Sequence, residues 1–194
     1  MAKKYIIGVD EVGRGPLAGP LTVAAILKWG RINFRGIKDS KKLSAKQREK
    51  WLFKIKNQKL KTESFEIAVA SVGAQIIDKI GITAAARVAV GRSLRKFKIK
   101  NSNFKILLDG SLYAPRTYLN QETIIRGDEK IPLIAAASII AKTHRDKKMT
   151  KLHEQFPQYR FDLHKGYGTK LHRSLVKKHG LSDIHRRTFC TKFI

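Results

Sequence analysis

Apolar positions along this chain fall into two spacings, one suited to strands and one to helices. Residues 5–9 (Tyr-Ile-Ile-Gly-Val) form a short unbroken apolar run, and Leu21–Lys28 form a second after a turn rich in glycine and proline. Together they predict an early hairpin. Residues 64–72 and 104–110 predict two further strands, the second closing on Asp109 and Gly110. Ser44 and Gln47 stand in the capping-box pattern and open a helix with Arg48, Trp51, Leu52 and Ile55 at helical spacing. Thr83 is expected to cap a helix reaching about Phe97, with Ala86, Val90, Leu94 and Phe97 on one face. A long helix is expected from about Leu133 to Leu152, with Pro132 in its first turn, and a last one from Thr169 to His179, stopped by Gly180.

Strands alternating with helices after a hairpin indicate an α/β domain, a mixed central sheet flanked by helices. The expected division is a sheet domain over residues 1–150 and a basic helical segment over 151–194, packed on it as one compact unit. A chain of 194 residues is long enough to bury a real core.

Charge changes the picture most. Lys and Arg number 41 against 15 Asp and Glu, a formal net charge of +26. That excess costs self-repulsion and makes sense as attraction to a polyanion. An anionic membrane would call for one basic amphipathic helix, whereas Lys and Arg here are spread over most of the chain, so nucleic acid is the expected partner. No apolar run approaches the ~20 residues needed to span a bilayer. The start Met-Ala-Lys-Lys lacks the apolar stretch of a signal peptide, and the lone Cys190 excludes an internal disulfide. Both fit a cytoplasmic protein. Charge alone suits a passive, non-catalytic nucleic-acid-binding protein equally well.

The carboxylates separate those readings. Asp10, Glu11 and Asp109 each follow an apolar strand and lie beside glycine, where ligand sites gather in open α/β sheets. One such Asp usually caps a turn. Two adjacent carboxylates at the end of a buried strand call for a partner, either basic side chains or a divalent cation. Asp146 shares a helix face with Ala135, Ile139 and Lys142, which points it inward; an i to i+4 pair with Lys142 on a solvated surface accounts for the spacing equally well. Converging hard oxygen ligands suit Mg²⁺ or Mn²⁺, and two such ions can drive phosphodiester cleavage. Gly13 and Gly15 flank Arg14, so backbone amides there could approach a sugar or phosphate closely, although a plain tight turn is the simpler alternative.

Several motifs carry a resemblance over nearly the whole chain. Gly8-Val-Asp-Glu-Val-Gly-Arg-Gly-Pro-Leu-Ala-Gly-Pro20, Asp39-Ser-Lys-Lys-Leu-Ser44, Leu107-Leu-Asp-Gly110, Ala136 to Asp146, His164-Lys-Gly-Tyr-Gly-Thr169 and His185-Arg-Arg-Thr-Phe189 resemble ribonuclease HII, the type 2 ribonucleases H. The resemblance implies a ribonuclease H-like fold with a C-terminal helical segment. It also implies cleavage of RNA in RNA–DNA hybrids and incision 5′ to ribonucleotides embedded in duplex DNA. Asp10, Glu11, Asp109 and Asp146 match the family's four acidic catalytic residues, with Mn²⁺ or Mg²⁺ as cofactor. Gly13, Arg14 and Gly15 match the loop that senses the 2′-hydroxyl. Tyr167 matches the tyrosine that stacks on the adjacent deoxyribose, and Lys41 and Lys42 are expected near substrate phosphates.

Thr188 replaces the family's usual serine and keeps its hydroxyl. His144, His153, His172 and His179 show no zinc-like arrangement and are expected to be basic surface. Ribonuclease HIII carries an extra N-terminal domain, whereas this chain opens on its first strand, which favours HII. A monomer is expected, and a sliding clamp is an open possibility as partner. A ribonuclease H-like DNA resolvase is the remaining alternative, disfavoured by the Gly13-Arg-Gly15 and Gly166-Tyr-Gly168 motifs.

Overall fold

The computed structural model describes residues 5–37, 40–62, 64–98 and 104–192, with the backbone alone for Lys41. Three strands, β1 (Tyr5–Val12), β2 (Leu21–Lys28) and β3 (Phe65–Val72), form an antiparallel meander. Strand β4 (Phe104–Asp109) joins the other side of β1 in parallel, and β5 (Gln121–Ile124) extends that edge in parallel, in the order β3-β2-β1-β4-β5. The sheet is therefore mixed, as the alternation of elements predicts. A parallel neighbour for β1 requires a long crossover. Helices α1 (Ala45–Thr62), α2 (Ala74–Ile80) and α3 (Ile82–Leu94) lie in that stretch of chain.

Beyond β5 come α4 (Gly127–Lys130), α5 (Pro132–Gln155), α6 (Phe161–His164), α7 (Lys170–His179) and α8 (Arg187–Cys190), with 3₁₀ turns at Ser40–Lys42 and Pro157–Tyr159. Helices cover both faces of the sheet, which explains why β2 is buried at all but its last residue. Val9, Val23 and Leu108 pack with Ala86, Val90, Leu94 and Phe97 on one side. Ala24 and Ile26 pack with Ile55 and with Leu133, Ala136, Ala137 and Ile140 on the other. The small residues of α5 let it lie close on β1, and Gly8 completes the fit: a Cβ there would stand 2.7 Å from Leu133 Cγ.

Element ends show where local chemistry decided. Ser44 and Gln47 make both halves of the capping box, Gln47 N to Ser44 Oγ at 3.3 Å and Ser44 N to Gln47 Oε1 at 2.8 Å. Thr169 caps α7 by accepting from His172 N at 3.2 Å. Thr83 does not cap α3. Gly81, with φ 77°, both ends α2 and starts α3, which places Thr83 inside the first turn. Strand β1 runs on to Val12, past the expected end at residue 9, because Asp10, Glu11 and Val12 continue the antiparallel ladder opposite Ala24, Val23 and Thr22. Helix α5 passes unbroken through residues 150 and 151. A third apolar cluster of Ala18, Met149, Tyr159, Phe161 and Val176 joins its end to the C-terminal elements. After α7, the chain forms one more short helix, α8, which the sequence reading did not anticipate.

Candidate active site

Parallel pairing of β1 with β4 sets Val9 beside Leu108, so Asp10 and Asp109 emerge at the same end of the sheet. Successive strand residues point to opposite faces. At this strand end the Asp10 and Glu11 side chains nevertheless converge: one carboxylate oxygen each from Asp10, Glu11 and Asp109 lies within 4.8 Å of the others. Asp10 is buried, and its Oδ1 accepts from Glu11 N at 2.7 Å. Asp109 Oδ1 accepts from Asp128 N at 3.2 Å, at the start of α4.

The electrostatics ask for a cation. Burial holds the Asp10 carboxyl well above the usual carboxylate range, Glu11 and Asp109 push the same way, and hydrogen bonds from Ser138 and the Glu11 amide oppose them. Glu11 is raised mainly by burial, against the pull of Arg14, whose Nη1 stands 3.6 Å from Glu11 Oε1. The second oxygen, Glu11 Oε2, is buried without a hydrogen-bond partner among the described residues. A buried, unpartnered carboxylate oxygen beside two more carboxylates fits a hard divalent ion such as Mg²⁺ or Mn²⁺. The residues present therefore suit the metal that the family resemblance implies.

Asp146 stands apart from that group. Its Oδ1 takes Lys142 Nζ at 2.8 Å and its Oδ2 faces Arg48 Nη2 at 3.4 Å. The i to i+4 pair weighed from spacing does form, but in a setting where the Asp146 side chain is only 18% exposed rather than on a solvated surface. Lys42 Nζ meets Glu129 Oε1 at 2.7 Å, on α4 beside the metal ligands' end of the sheet. Asp39 and the Lys41 side chain lie outside the described residues.

The Gly13–Pro20 loop follows Glu11 and is built by two arginines that carried no assigned role in the sequence. Gly13 has φ 92°, a conformation that favours glycine, and no atom outside its neighbours lies within 4 Å of a Cβ built on Gly15. Arg186 donates to the carbonyls of Gly13, Arg14 and Gly19, and Arg145 to those of Ala18 and Pro20 at 3.2 and 2.9 Å. Both guanidiniums are fully buried, and desolvation lowers the pKa of each, that of Arg186 to about 10. Tyr167 is partly exposed, with Arg145 Cζ 5.4 Å and Lys142 Nζ 5.7 Å from its ring centre.

One expectation is overturned here. His172 is not basic surface: it is fully buried, stacked on His164 with ring centres 4.2 Å apart, and burial pushes its pKa down to about 4. The signal was available, since His172 and Val176 lie four apart on the buried side of α7. His144 and His179 are exposed, and His153 is half-buried beside Asp162. Thr188 keeps the hydroxyl function expected of it, donating to Asp78 Oδ1.

Acids at the end of a ribonuclease H-like sheet, next to a glycine-arginine-glycine loop, agree with comparison to known proteins. The ribonuclease HII family profile matches residues 7–192. The chain belongs to the ribonuclease HII family. It is 44% identical over 186 residues to the ribonuclease HII of Nitrosomonas europaea, covering 96% of this chain and 82% of that one. It is 44% identical to the ribonuclease HII of Endomicrobium trichonymphae, covering 95% and 84%. Among solved structures it resembles the PCNA:RNase HII complex from Archaeoglobus fulgidus, with a TM-score of 0.75 at 26% identity, covering 96% of this chain and 94% of that one. It also resembles ribonuclease H2 from Pyrococcus horikoshii, with a TM-score of 0.71 at 27% identity and coverage of 97% and 96%. As a ribonuclease HII, the chain is an endoribonuclease of RNA–DNA hybrids with a divalent metal cofactor. No helix among the described residues is long and apolar enough to cross a membrane.

Proposed function

We propose that Asp10, Glu11 and Asp109 hold the catalytic metal, and that the chain cleaves RNA strands of hybrids and incises 5′ to single ribonucleotides in duplex DNA. The observations that carry the assignment are the convergence of the Asp10, Glu11 and Asp109 carboxylates and a Glu11 Oε2 that is buried without a hydrogen-bond partner among the described residues. Held by these three carboxylates, a divalent cation would supply charge stabilisation for the phosphate oxygens and activation of the attacking water. Cleavage leaves a 3′-hydroxyl and a 5′-phosphate.

The protein's own groups supply the rest. Asp128 N orients Asp109, and Arg14 tethers Glu11 at the mouth of the loop. Gly15 leaves open space where backbone can approach a 2′-hydroxyl, the group that distinguishes RNA from DNA. Tyr167 offers a ring face to the neighbouring deoxyribose, while Lys41 and Lys42 contact phosphates. Asp146, released from Lys142 and Arg48, completes the acidic site once substrate charge enters. Residues 151–194 act as the segment that carries Tyr167. The chain works as a monomer, and a sliding clamp is its proposed protein partner, by analogy with the archaeal complex.

Asp109→Asn tests the site. Cleavage of RNA–DNA hybrid is expected to fall about 10³-fold or more, the scale of losing a transition-state charge stabiliser, while hybrid binding persists. Full cleavage by that variant overturns the assignment. Side-by-side digestion of DNA duplex, RNA–DNA hybrid and duplex with one ribonucleotide tests the substrate range, and cutting of plain DNA defeats it.

A further inference from the structure

The end of the chain folds back onto its first loop. Arg186 donates from Nη2 to Gly13 O at 2.6 Å and Gly19 O at 2.9 Å, from Nη1 to Arg14 O at 2.8 Å, and from Nε to Gly19 O at 3.0 Å. One planar fork thus spans both ends of the turn that presents Arg14 and Gly15. A lysine ammonium has neither the planarity nor the number of donors to do the same. The Arg186 amide adds a bond to Leu17 O at 2.7 Å.

His185 begins a second run of bonds in the other direction. Ser182 N donates to His185 Nδ1 at 2.9 Å, so that nitrogen carries no proton. In a neutral ring the proton then sits on Nε2, which lies 3.1 Å from His172 Nε2. His172 must accept there and carry its own proton on Nδ1, which lies 2.9 Å from the carbonyl of Tyr167. A backbone amide at one end and a backbone carbonyl at the other therefore settle both tautomers. Burial, which holds both rings near a pKa of about 4, agrees with neutral imidazoles.

Adjacent residues in extended chain point opposite ways. His185 forms a backbone bridge with Ala18, and Arg186 is extended at φ −88° and ψ 98°. One therefore reaches toward Tyr167 and the other toward Gly13. The two loops also touch directly, through Leu17 N to Gly166 O at 2.8 Å.

We propose that His185 and Arg186, with His172 as intermediary, are positioning residues that set the register between the Gly13–Gly15 loop and Tyr167, and so the selectivity for a ribonucleotide junction. The proposal rests on the reading of that loop and that tyrosine as the junction sensor. A rigid link matters because a 2′-hydroxyl and the next deoxyribose must be tested at one fixed spacing.

Nitrogen NMR of the unsubstituted protein gives the first test. Protons are expected on His185 Nε2 and His172 Nδ1, and a proton on His172 Nε2 overturns the relay. The second test measures kcat and KM for His172→Phe, His172→Gln, Arg186→Lys and Tyr167→Ala, on duplex DNA with one ribonucleotide and on RNA–DNA hybrid. His172→Phe, Arg186→Lys and Tyr167→Ala are each expected to lose about tenfold more kcat/KM on the single-ribonucleotide substrate than on the hybrid. His172→Gln, whose amide keeps an acceptor and a donor, recovers part of that loss. An unchanged ratio in Tyr167→Ala defeats the sensor reading, and the positioning role with it. A shifted ratio there, with equal losses on both substrates in His172→Phe and Arg186→Lys, defeats the positioning role alone.

Discussion

Asp10 and Asp109 meet because Val9 and Leu108 are paired where β1 and β4 run parallel. The contact is a product of register: a one-residue slip would turn one of the two carboxylates to the other face of the sheet. Ile7 and Val9 before one acid and Ile106 and Leu108 before the other, buried in the same apolar cluster, hold that register. Core packing thus positions the charge cluster, and the cluster in turn works against the fold until a cation arrives.

That tension is measurable with Asp10→Asn. Burial first, and neighbouring carboxylates second, raise the Asp10 pKa in the folded state. A raised acid contributes stability below its ordinary range and loses it as pH rises through the folded value, so ionised Asp10 destabilises the metal-free fold at neutral pH. Asn removes that cost. Thermal melts in chelator at pH 7 are expected to show the variant above the parent by a few degrees. Added Mn²⁺ should raise the parent's Tm more than the variant's, since ligand binding to the folded state stabilises it. A variant that melts lower in chelator contradicts the electrostatic account.

Gly13 and Gly15 are expected to respond oppositely to alanine. At Gly13, φ is 92° and a Cβ would run into the Arg145 side chain and stand 2.8 Å from Pro20 O. Gly13→Ala should therefore lose about 1–3 kcal/mol or more of stability. No atom beyond the immediate neighbours lies within 4 Å of a Cβ at Gly15, so Gly15→Ala should stay within about 0.5 kcal/mol of the parent. Its methyl would point into the space where substrate backbone approaches, and KM for hybrid should rise. Urea unfolding together with steady-state kinetics checks both halves. Equal stability losses would remove the distinction between a structural and a substrate-facing glycine.

How far the residues alone reach depends on how local the cause is. Asp10, Glu11 and Asp109 could be grouped because each follows an apolar run, and strand ends converge. The capping box at Ser44 and Gln47 was legible for the same reason, since its partners are three residues apart. Strand β5 and helix α4, at four residues each, are too short to show a period. Arg145 and Arg186 stayed hidden because their partners are carbonyls more than a hundred residues away, and nothing in a side chain's identity reports that. Asp146 was ambiguous on paper for a physical reason: the same spacing serves an inward face and an ion pair, and the structure shows the pair.

Lys142 tests what that pair does. It holds Asp146 Oδ1 at 2.8 Å while Arg48 lies 3.4 Å from Oδ2, with all three side chains mostly buried. Removing one of the two cations that share this mostly buried carboxylate costs about 1–3 kcal/mol. Lys142→Met should show a loss of that size in urea unfolding. It should also bind Mn²⁺ more tightly by calorimetry, because a positive charge competing for Asp146 is gone. Weaker Mn²⁺ binding would mean that Lys142 supports the acidic site rather than restraining it.

The buried histidines predict a pH dependence of opposite sign to that of Asp10. His172 and His185 are pushed by burial to a pKa of about 4, from an ordinary value of 6.5, and His164 is lowered in the same direction by the same cause. Between those values the unfolded chain takes up protons that the folded chain refuses. Stability is therefore fully present above about pH 6.5 and is lost as pH falls toward 4, by up to about 1.4 kcal/mol per pH unit for each ring. Asp10 and Glu11 gain stability over part of the same range, so the parent's curve is a difference of two trends. His172→Phe isolates the histidine part. Its unfolding free energy, measured in urea at pH 5, 6 and 7, should rise less steeply with pH than the parent's, by an amount on the order of 1 kcal/mol across that span. Identical slopes would mean that His172 takes up its proton in the folded state, which the chain of bonds from Ser182 to the Tyr167 carbonyl does not allow.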